Sequence, residues 1–264
     1  MEKEQDSKMS KEPVGRLMLT MGLPIVLSMM LQAVYNIVDS AYLSNMWEAG
    51  EEALTALGLA FPIQLFMVAV AVGTGVGTNA LLARSLEQGN QEKVNQTAGN
   101  AAFLGFVVSV IFILVGIFGV PAYVNSQNAG GGISEIVIQM AIDYLQICCC
   151  LSFGIIFFSI YEKVLQSTGR SFYSTIAQIT GAVINIVLDP IMIYGWLGCP
   201  EMGVKGAAYA TVIGQIASAA LAFFFHIRLD SEIENRILYL KPSASIIREI
   251  YAIGLPAIIS QALL

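Results

Sequence analysis

The stretch ALTALGLAFPIQLFMVAVAVGTGVGTNALLA, residues 53–83, contains no charged residue and is long enough to cross a lipid bilayer as a helix. Similar uncharged stretches occupy residues 17–38, 101–120, 144–161, 171–188 and 206–225. A seventh apolar run begins near Ala244 and is interrupted by Arg248 and Glu249. The sequence therefore predicts an all-α polytopic membrane protein with six transmembrane helices, here called spans 1–6, and a truncated seventh helix.

The overall composition agrees with this prediction. Hydrophobic residues make up 56% of the chain and charged residues only 12%, whereas soluble domains carry about 25% charged residues. The net charge is −6 and no basic face is visible, which argues against a nucleic-acid partner. The lipid bilayer is the partner that the composition predicts.

The distribution of basic residues predicts the orientation of the chain. All but one of the 13 Lys and Arg residues precede span 1, lie between spans 2 and 3 or 4 and 5, or follow span 6; the exception is Lys205. Short cytoplasmic segments collect basic residues. We therefore expect a multi-pass protein of the cell (plasma) inner membrane, with a cytoplasmic N-terminus and with spans 1, 3 and 5 running outward.

A short internal repeat predicts two lobes. GLPIVLSMMLQ, residues 22–32, aligns without gaps to GLPAIISQALL, residues 254–264, with Gly, Leu, Pro, Ser and a second Leu in common. Both segments enter a membrane helix from the predicted cytoplasmic side, which is typical of a parallel repeat of two helical bundles. The predicted domains are a cytoplasmic segment (1–16), a first lobe (17–227), a cytoplasmic linker (228–243) and the start of a second lobe (244–264), which continues in a longer full-length chain.

Two acids lie inside the predicted spans, where ionisable residues are costly and indicate function. Asp39 lies in YNIVDSAYL and Asp189 in NIVLDP, and each follows an asparagine, Asn36 or Asn185, by one helical turn. From a rise of about 1.5 Å per residue, Asp39 lies about 8 Å from the outer end of its helix, and Asp189 and Thr211 about 12 Å from theirs. We expect one polar site at this depth. The alternative is that both acids face water in the headgroup region.

Pro190 adds a further oxygen to this predicted site. A proline inside a helix cannot donate to the carbonyl four residues earlier, here that of Ile186. Together with Asp39, Asn185, Asp189 and Thr211, this carbonyl forms an all-oxygen set that suits a hard cation rather than zinc or copper.

At these residues the chain resembles the multidrug and toxic compound extrusion (MATE) transporters. The resemblance covers the whole chain and rests on six motifs in order: LPIVLSMMLQAVYNIVDSAYL, ALTALGLAFPI, LLARSLEQGNQEK, VLQSTGR, INIVLDPIMIYG and GVKGAAYATVIGQ. It implies two six-helix lobes that export cationic lipophilic compounds by alternating access, in exchange for Na⁺ or H⁺. In one branch of the family the cation site uses an Asp of helix one, an Asn and an Asp of helix five and a Thr of helix six. The matching residues here are Asp39, Asn185, Asp189 and Thr211, although the loop GWLGCPEM before span 6 is rather long for the family.

Other candidate residues are assigned as follows. The side chains expected to line a substrate cavity are Tyr35, Met29, Met30, Phe61 and Gln64. The glycines of GTGVGT are interpreted as small residues for close helix packing, because no strand precedes them and no lysine follows. His226 is expected at the membrane interface. No cofactor or metal other than Na⁺ is expected, and the protein is not expected to be an enzyme.

Two alternative functions use the same features. An intramembrane aspartyl protease also needs two membrane acids, but such enzymes carry Gly-x-Gly-Asp, whereas Val187 and Leu188 precede Asp189. A flippase for a lipid-linked saccharide would share the architecture but needs a more basic cavity. Because basic residues are absent from spans 1–6 away from their ends, the sequence favours a cationic cargo.

Overall fold

The computed structural model describes residues 22–46, 49–128 and 130–263, and the described residues form nine α-helices and no strand. The helices are α1 (Leu23–Ser44), α2 (Gly50–Glu87), α3 (Gln91–Leu114), α4 (Val120–Gln127), α5 (Glu135–Cys150), α6 (Phe153–Ser167), α7 (Ser171–Ile193), α8 (Val204–Leu229) and α9 (Ala244–Ala262).

The described helices confirm an all-α polytopic membrane fold. Four helical segments are long and apolar enough to cross a bilayer, Gly50–Glu87, Gln91–Gln127, Ser171–Ile193 and Val204–Leu229, and the bent pair α5 and α6 makes a fifth. Helix α1, of 22 residues, corresponds to predicted span 1. The prediction of six spans stays a prediction.

The outer ends of α1 and α7 lie beyond the two uncharged stretches, because Asp39 and Asp189 are inside a helix. Helix α1 ends at Ser44, the end from which the depth of Asp39 was estimated. Helix α7 ends at Ile193 rather than near Leu197, because Gly195 adopts a left-handed conformation, so Asp189 lies about 6 Å rather than about 12 Å from its outer end. Lys163, assigned to a loop, likewise lies inside α6.

Predicted spans 3 and 4 are both irregular helices. Residues Val115–Gly119 form a π-helical turn between α3 and α4 that ends two residues before Pro121, whose missing N–H removes a helical hydrogen bond. Helices α5 and α6 are bent by 47° at a short break, where Ser152 is completely buried. The two irregular regions are adjacent, since Gly116 packs against Cys149 and Cys150.

The helices pack around α2 and α8. Helix α2 contacts α1, α3, α5, α6 and α9, and α8 contacts α5, α6 and α7, while α1 packs against α7. Large apolar side chains such as Phe106 and Phe118 are exposed on the outside of the bundle, as expected where lipid surrounds the protein. This packing brings α1, α7 and α8, which carry the predicted site, next to one another.

Helices α2 and α9 cross in backbone contact at glycines. A Cβ on Gly73 would lie 2.9 Å from the carbonyl oxygen of Gly254, and a Cβ on Gly254 would lie 2.6 Å from that of Gly73. One turn further along α2, Gly77 faces the backbone of Ile250. Close packing by small residues, predicted for GTGVGT, is therefore confirmed at Gly73 and Gly77.

The segment between α8 and α9, residues 230–243, is bound along its length by amide side chains of α3. Asn95 Oδ1 accepts from the backbone N–H of Glu234 at 2.9 Å, and Asn100 Oδ1 accepts from that of Ser243 at 2.7 Å. The side chain of Gln91 donates to the backbone carbonyl of Glu232 at 2.5 Å. These bonds hold the backbone of the segment against the first turns of α3.

We expect Gly77→Ala to destabilise the protein by about 1–3 kcal/mol, the usual cost of overpacking, because the new methyl group meets the backbone of Ile250. Gly58→Ala is the matched control on the same helix, since a Cβ there has no neighbour within 4 Å. Equilibrium unfolding in mixed detergent micelles measures both variants. Equal stability of the two would contradict the described α2–α9 crossing.

Candidate cation site

The two acids of the predicted spans are both buried in the bundle. The exposed fraction is 7% for Asp39 on α1 and 0% for Asp189 on α7. Asp39 also interacts electrostatically with Asp189, so the two helices bring their carboxyl groups into one region. This burial argues against the alternative in which both acids face water.

A close contact between α7 and α8 brings Thr211 to Asn185. A Cβ on Gly214 would lie 2.6 Å from the carbonyl oxygen of Gly181 and 3.2 Å from Cβ of Asn185. Since neither glycine carries a side chain, the two backbones approach closely at this level. Thr211 lies one helical turn before Gly214 on α8 and therefore faces Asn185.

Hydrogen bonds join three of the four predicted ligands. The side-chain amide of Asn185 donates to Asp189 Oδ1 at 3.2 Å and to Thr211 Oγ1 at a longer 3.4 Å. The exposed fractions of Asn185 and Thr211 are 3% and 5%. The structure thus groups Asn185, Asp189 and Thr211 directly, and places Asp39 opposite them on α1.

Three oxygen atoms of this group lack a hydrogen-bond donor among the described residues. They are Asp39 Oδ1, Asn185 Oδ1 and Asp189 Oδ2, and all three are buried. A buried acceptor without a partner costs roughly 1–3 kcal/mol, and more when it is charged. A proton, a cation or a water molecule at these oxygens removes that cost.

The main chain of α7 supplies a further oxygen. Pro190 is buried inside α7, so the helix continues through a residue that has no N–H to donate to Ile186. The freed Ile186 carbonyl lies one residue beyond Asn185. Carboxylate, amide, hydroxyl and carbonyl oxygens are the ligands of hard cations. Among the described residues, no group of three or more His, Cys, Asp or Glu side chains provides an alternative metal site.

Asp39 has a second set of polar neighbours. It interacts electrostatically with Tyr35, Tyr144 and Cys148, and Gln64 donates to the Tyr144 hydroxyl at 3.2 Å. Tyr144 is 2% exposed and was not among the predicted residues. Its only signal in the sequence is a polar aromatic residue within an apolar span.

The remaining predicted residues are more dispersed. Asn36 is exposed although it lies one turn from Asp39. Of the predicted cavity residues, Met30 and Phe61 are 61% and 58% exposed, and the side chain of Met29 lies outside the described residues. Tyr35 and Gln64 are partly buried beside the Asp39 group.

A second polar cluster, which the sequence did not predict, lies at the opposite end of the bundle. Asp230, with a fully buried carboxylate, accepts from Arg170 and Thr168 at 2.6 Å each and contacts His226 Nδ1 at 2.8 Å. Arg170 also pairs with Glu232 at 2.9 Å. The cluster ties the start of α7 to the end of α8 and to the segment that follows it.

The contacts of this cluster describe the surroundings of His226 and the charge of Arg170. His226, expected at the membrane interface, is 1% exposed and its ring stacks on Tyr161, so its side chain is buried in the protein. Its spacing of four residues from Asp230 was the available signal for the cluster. Burial lowers the pKa of Arg170, but hydrogen bonds and charges of Glu232 and Asp230 outweigh burial and raise that pKa above its ordinary value. Arg170 therefore remains charged.

A bundle of apolar helices with a buried oxygen cluster is typical of a membrane transporter, and sequence comparison assigns the family. The MatE family model matches residues 24–191, which is more than half of the chain. The chain therefore belongs to the MatE family of multidrug and toxic compound extrusion transporters.

Individual relatives agree with this assignment. The probable multidrug resistance protein YoeA of Bacillus subtilis (strain 168) is 27% identical over 97% of this chain and 55% of its own length. The FAD transporter of Shewanella oneidensis (strain ATCC 700550 / JCM 31522 / CIP 106686 / LMG 19005 / NCIMB 14063 / MR-1) is 26% identical over 80% of this chain and 45% of its own length. The outward-facing structure of a multidrug resistance MATE family transporter of the MOP superfamily superposes with a TM-score of 0.83, at 26% identity, over 99% of this chain and 56% of that one. This chain thus spans about half the length of the relatives it matches.

We expect Asp230→Asn to lower the stability of the protein by about 1–3 kcal/mol, because it removes the charge of a buried carboxylate that accepts from Arg170 and Thr168, while Arg170 keeps its pair with Glu232. Glu234→Gln is the matched control, since it breaks an exposed pair with Arg236, whose side chains are 46% and 68% exposed, and should cost less than about 1 kcal/mol. Equilibrium unfolding of both purified variants measures the difference. An Asp230→Asn loss no larger than the control loss would show that the cluster does not stabilise the fold.

Proposed function

We propose that this chain is the first lobe, with the linker and the start of the second lobe, of a cation-coupled antiporter that exports cationic lipophilic drugs or toxic compounds. The three unpaired buried oxygens of Asp39, Asn185 and Asp189 are the observation that carries the proposal. On this proposal the domains are those expected from the sequence: 1–16, 17–227, 228–243 and 244–264. No cofactor takes part, and the coupling ion is Na⁺ or H⁺.

The proposed coupling ion neutralises the buried acids. Asp39 and Asp189 contribute negative charge from opposite helices, while Asn185 Oδ1, Thr211 Oγ1 and the Ile186 carbonyl supply neutral oxygens. Na⁺ satisfies the unpaired oxygens as ligands, whereas H⁺ satisfies them by converting a carboxylate into a donor. In both cases the site changes its net charge when the ion leaves.

This change of charge is what couples the ion to the cargo. Moving one charge through the membrane field is worth about 2.3 kcal/mol per 100 mV. An ion that enters from outside and leaves inward therefore releases free energy, which can drive cargo outward if the loaded and empty sites favour different arrangements of the two lobes. The second lobe needed for that movement lies in the longer full-length chain, in keeping with relatives about twice as long as this chain.

The cargo class follows from charge. Every described Lys and Arg lies in a connecting segment or within about two turns of a helix end, so the middle of the bundle attracts cations. The comparisons do not favour a flippase for lipid-linked saccharides, and membership of a transporter family argues against an aspartyl protease. Tyr35 and Gln64, beside Asp39, are the predicted cavity residues best placed to contact a cargo near the ion.

In the full-length protein we expect Asp189→Asn or Asp39→Asn to lower cation affinity at least roughly a hundredfold, because one charge at about 4 Å and an effective dielectric constant of about 20 is worth about 4 kcal/mol. Asn185→Ala should weaken it only about fivefold and Thr211→Ala less, since each removes a neutral ligand. Cation binding to purified protein and efflux of cationic dyes, compared with efflux of FAD, measure these effects.

Asn36→Ala is the control for Asn185→Ala, because it removes an exposed asparagine one turn from the other acid, and it should retain wild-type cation binding. The proposal fails if Asp189→Asn binds Na⁺ and responds to pH like the wild type.

The native Cys199 offers a direct test of the proposed orientation, in which the N-terminus is cytoplasmic and the protein lies in the inner membrane. Cys199 is exposed in the segment before α8, and an impermeant thiol reagent should label it in intact cells. In a Cys199→Ser background, cysteines at Glu51 and Gly131 should also be labelled, whereas those at Gln88 and Ser231 should react only after permeabilisation. The reverse pattern would overturn the orientation.

A further inference from the structure

Tyr194 connects the ends of the two helices that carry the acids. It directly follows the last residue of α7, and its hydroxyl donates to the backbone carbonyl of Tyr42 in the last turn of α1 at 2.5 Å. The two rings also meet edge to face, with centroids 6.2 Å apart. Tyr42 lies three residues after Asp39, and Tyr194 lies five residues after Asp189. The contact is therefore about one helical turn beyond the proposed ion site on both helices.

The α1 side of the site needs such a contact. Asn185 holds Asp189 and Thr211 by hydrogen bonds, but no described hydrogen bond joins the Asp39 side chain to these three residues. Like charges repel when both acids are ionised, which pushes α1 away from α7. The distance between Asp39 and the rest of the site therefore depends on contacts elsewhere along the two helices.

The end of α7 is held firmly enough to serve as an anchor. Gly195, with φ of 74°, ends the helix in a left-handed conformation. The chain then returns and donates from Met202 to the carbonyl of Met192 at 3.0 Å and from Gly203 to that of Ile193 at 3.2 Å. These bonds satisfy carbonyls that a helix end leaves free, and they fix the backbone on which Tyr194 is carried.

We propose that Tyr194 is a positioning residue of the ion site, whose hydroxyl fixes the outer turn of α1 on α7 so that Asp39 stays opposite Asn185 and Asp189. Tyr194 acts through α1 and is not itself an ion ligand. The inference rests on the proposed function, since it assigns a role within the same site. Removing the hydroxyl lets α1 separate from α7. This separation weakens binding of the ion that both acids share.

The variant Tyr194→Phe tests this role in the full-length protein, because it keeps the ring contacts and removes only the hydroxyl. Cation affinity, read as direct Na⁺ binding and as the pH midpoint of efflux, should fall by roughly fivefold to tenfold, whereas efflux at saturating cation should stay close to wild type. Hydrogen exchange of the backbone amides at residues 39–46 should become faster, because the last turn of α1 opens more often.

Tyr123→Phe is the matched control, since it removes a hydroxyl from a partly buried tyrosine on α4. It should change neither cation affinity nor exchange in α1. Unchanged cation affinity or unchanged exchange in Tyr194→Phe would overturn the inference, as would an equal loss in both variants.

The Asp189→Asn variant separates this outcome from failure of the proposed function. If Asp189→Asn loses cation coupling and Tyr194→Phe does not, only the role of Tyr194 is rejected. If Asp189→Asn binds and couples the cation like the wild type, the proposed site is rejected together with its positioning residue.

Discussion

A carboxylate that is completely shielded from water, as Asp189 is, loses several kcal/mol of hydration free energy, and the surrounding helices have to compensate for that loss. The compensation here is partial. The amide of Asn185 satisfies one oxygen of Asp189, while the other oxygen and one of Asp39 have no donor among the described residues. On the proposed function, a small positive ion bound there replaces the favourable interactions with water that burial removed. The second acid, Asp39, lies on a separate helix, and no described hydrogen bond joins its side chain to Asn185 or Asp189.

Close approach of helices makes this arrangement possible. Lipid competes with apolar side chains for helix surfaces, so helices in a membrane associate through tight packing and polar contacts rather than through hydrophobic burial alone. Glycines allow this approach in several pairs of helices, including α7 with α8 at Gly181 and Gly214, and α2 with α9 at Gly73 and Gly254. The first crossing brings the hydroxyl of Thr211 to the proposed ion site, and the second attaches the last described helix to the centre of the bundle.

The sequence predicted those features that a single helix can encode. An acid in an apolar run is visible without knowing its neighbours, and depth along each helix was enough to group Asn185 and Asp189 with Thr211. Features that depend on contacts between distant segments were not predictable, because periodicity identifies a face but not what packs against it. The bond between Gln64 and Tyr144 and the cluster around Asp230 are of this kind. The bend between α5 and α6 was also missed, since neither residue of the break, Leu151 or Ser152, is a proline or a glycine.

The attachment of residues 230–243 to α3 has a thermodynamic consequence for α9. A free segment of this length would leave α9 to sample many positions, and its ordering would oppose association by roughly 1–2 kcal/mol of backbone entropy per residue. The side chains of Asn95 and Asn100 instead fix the segment near both of its ends. Helix α9 then meets α2 at a high effective concentration. Two isolated helices of these sequences could therefore associate weakly, and the contact would still be almost fully formed in the chain.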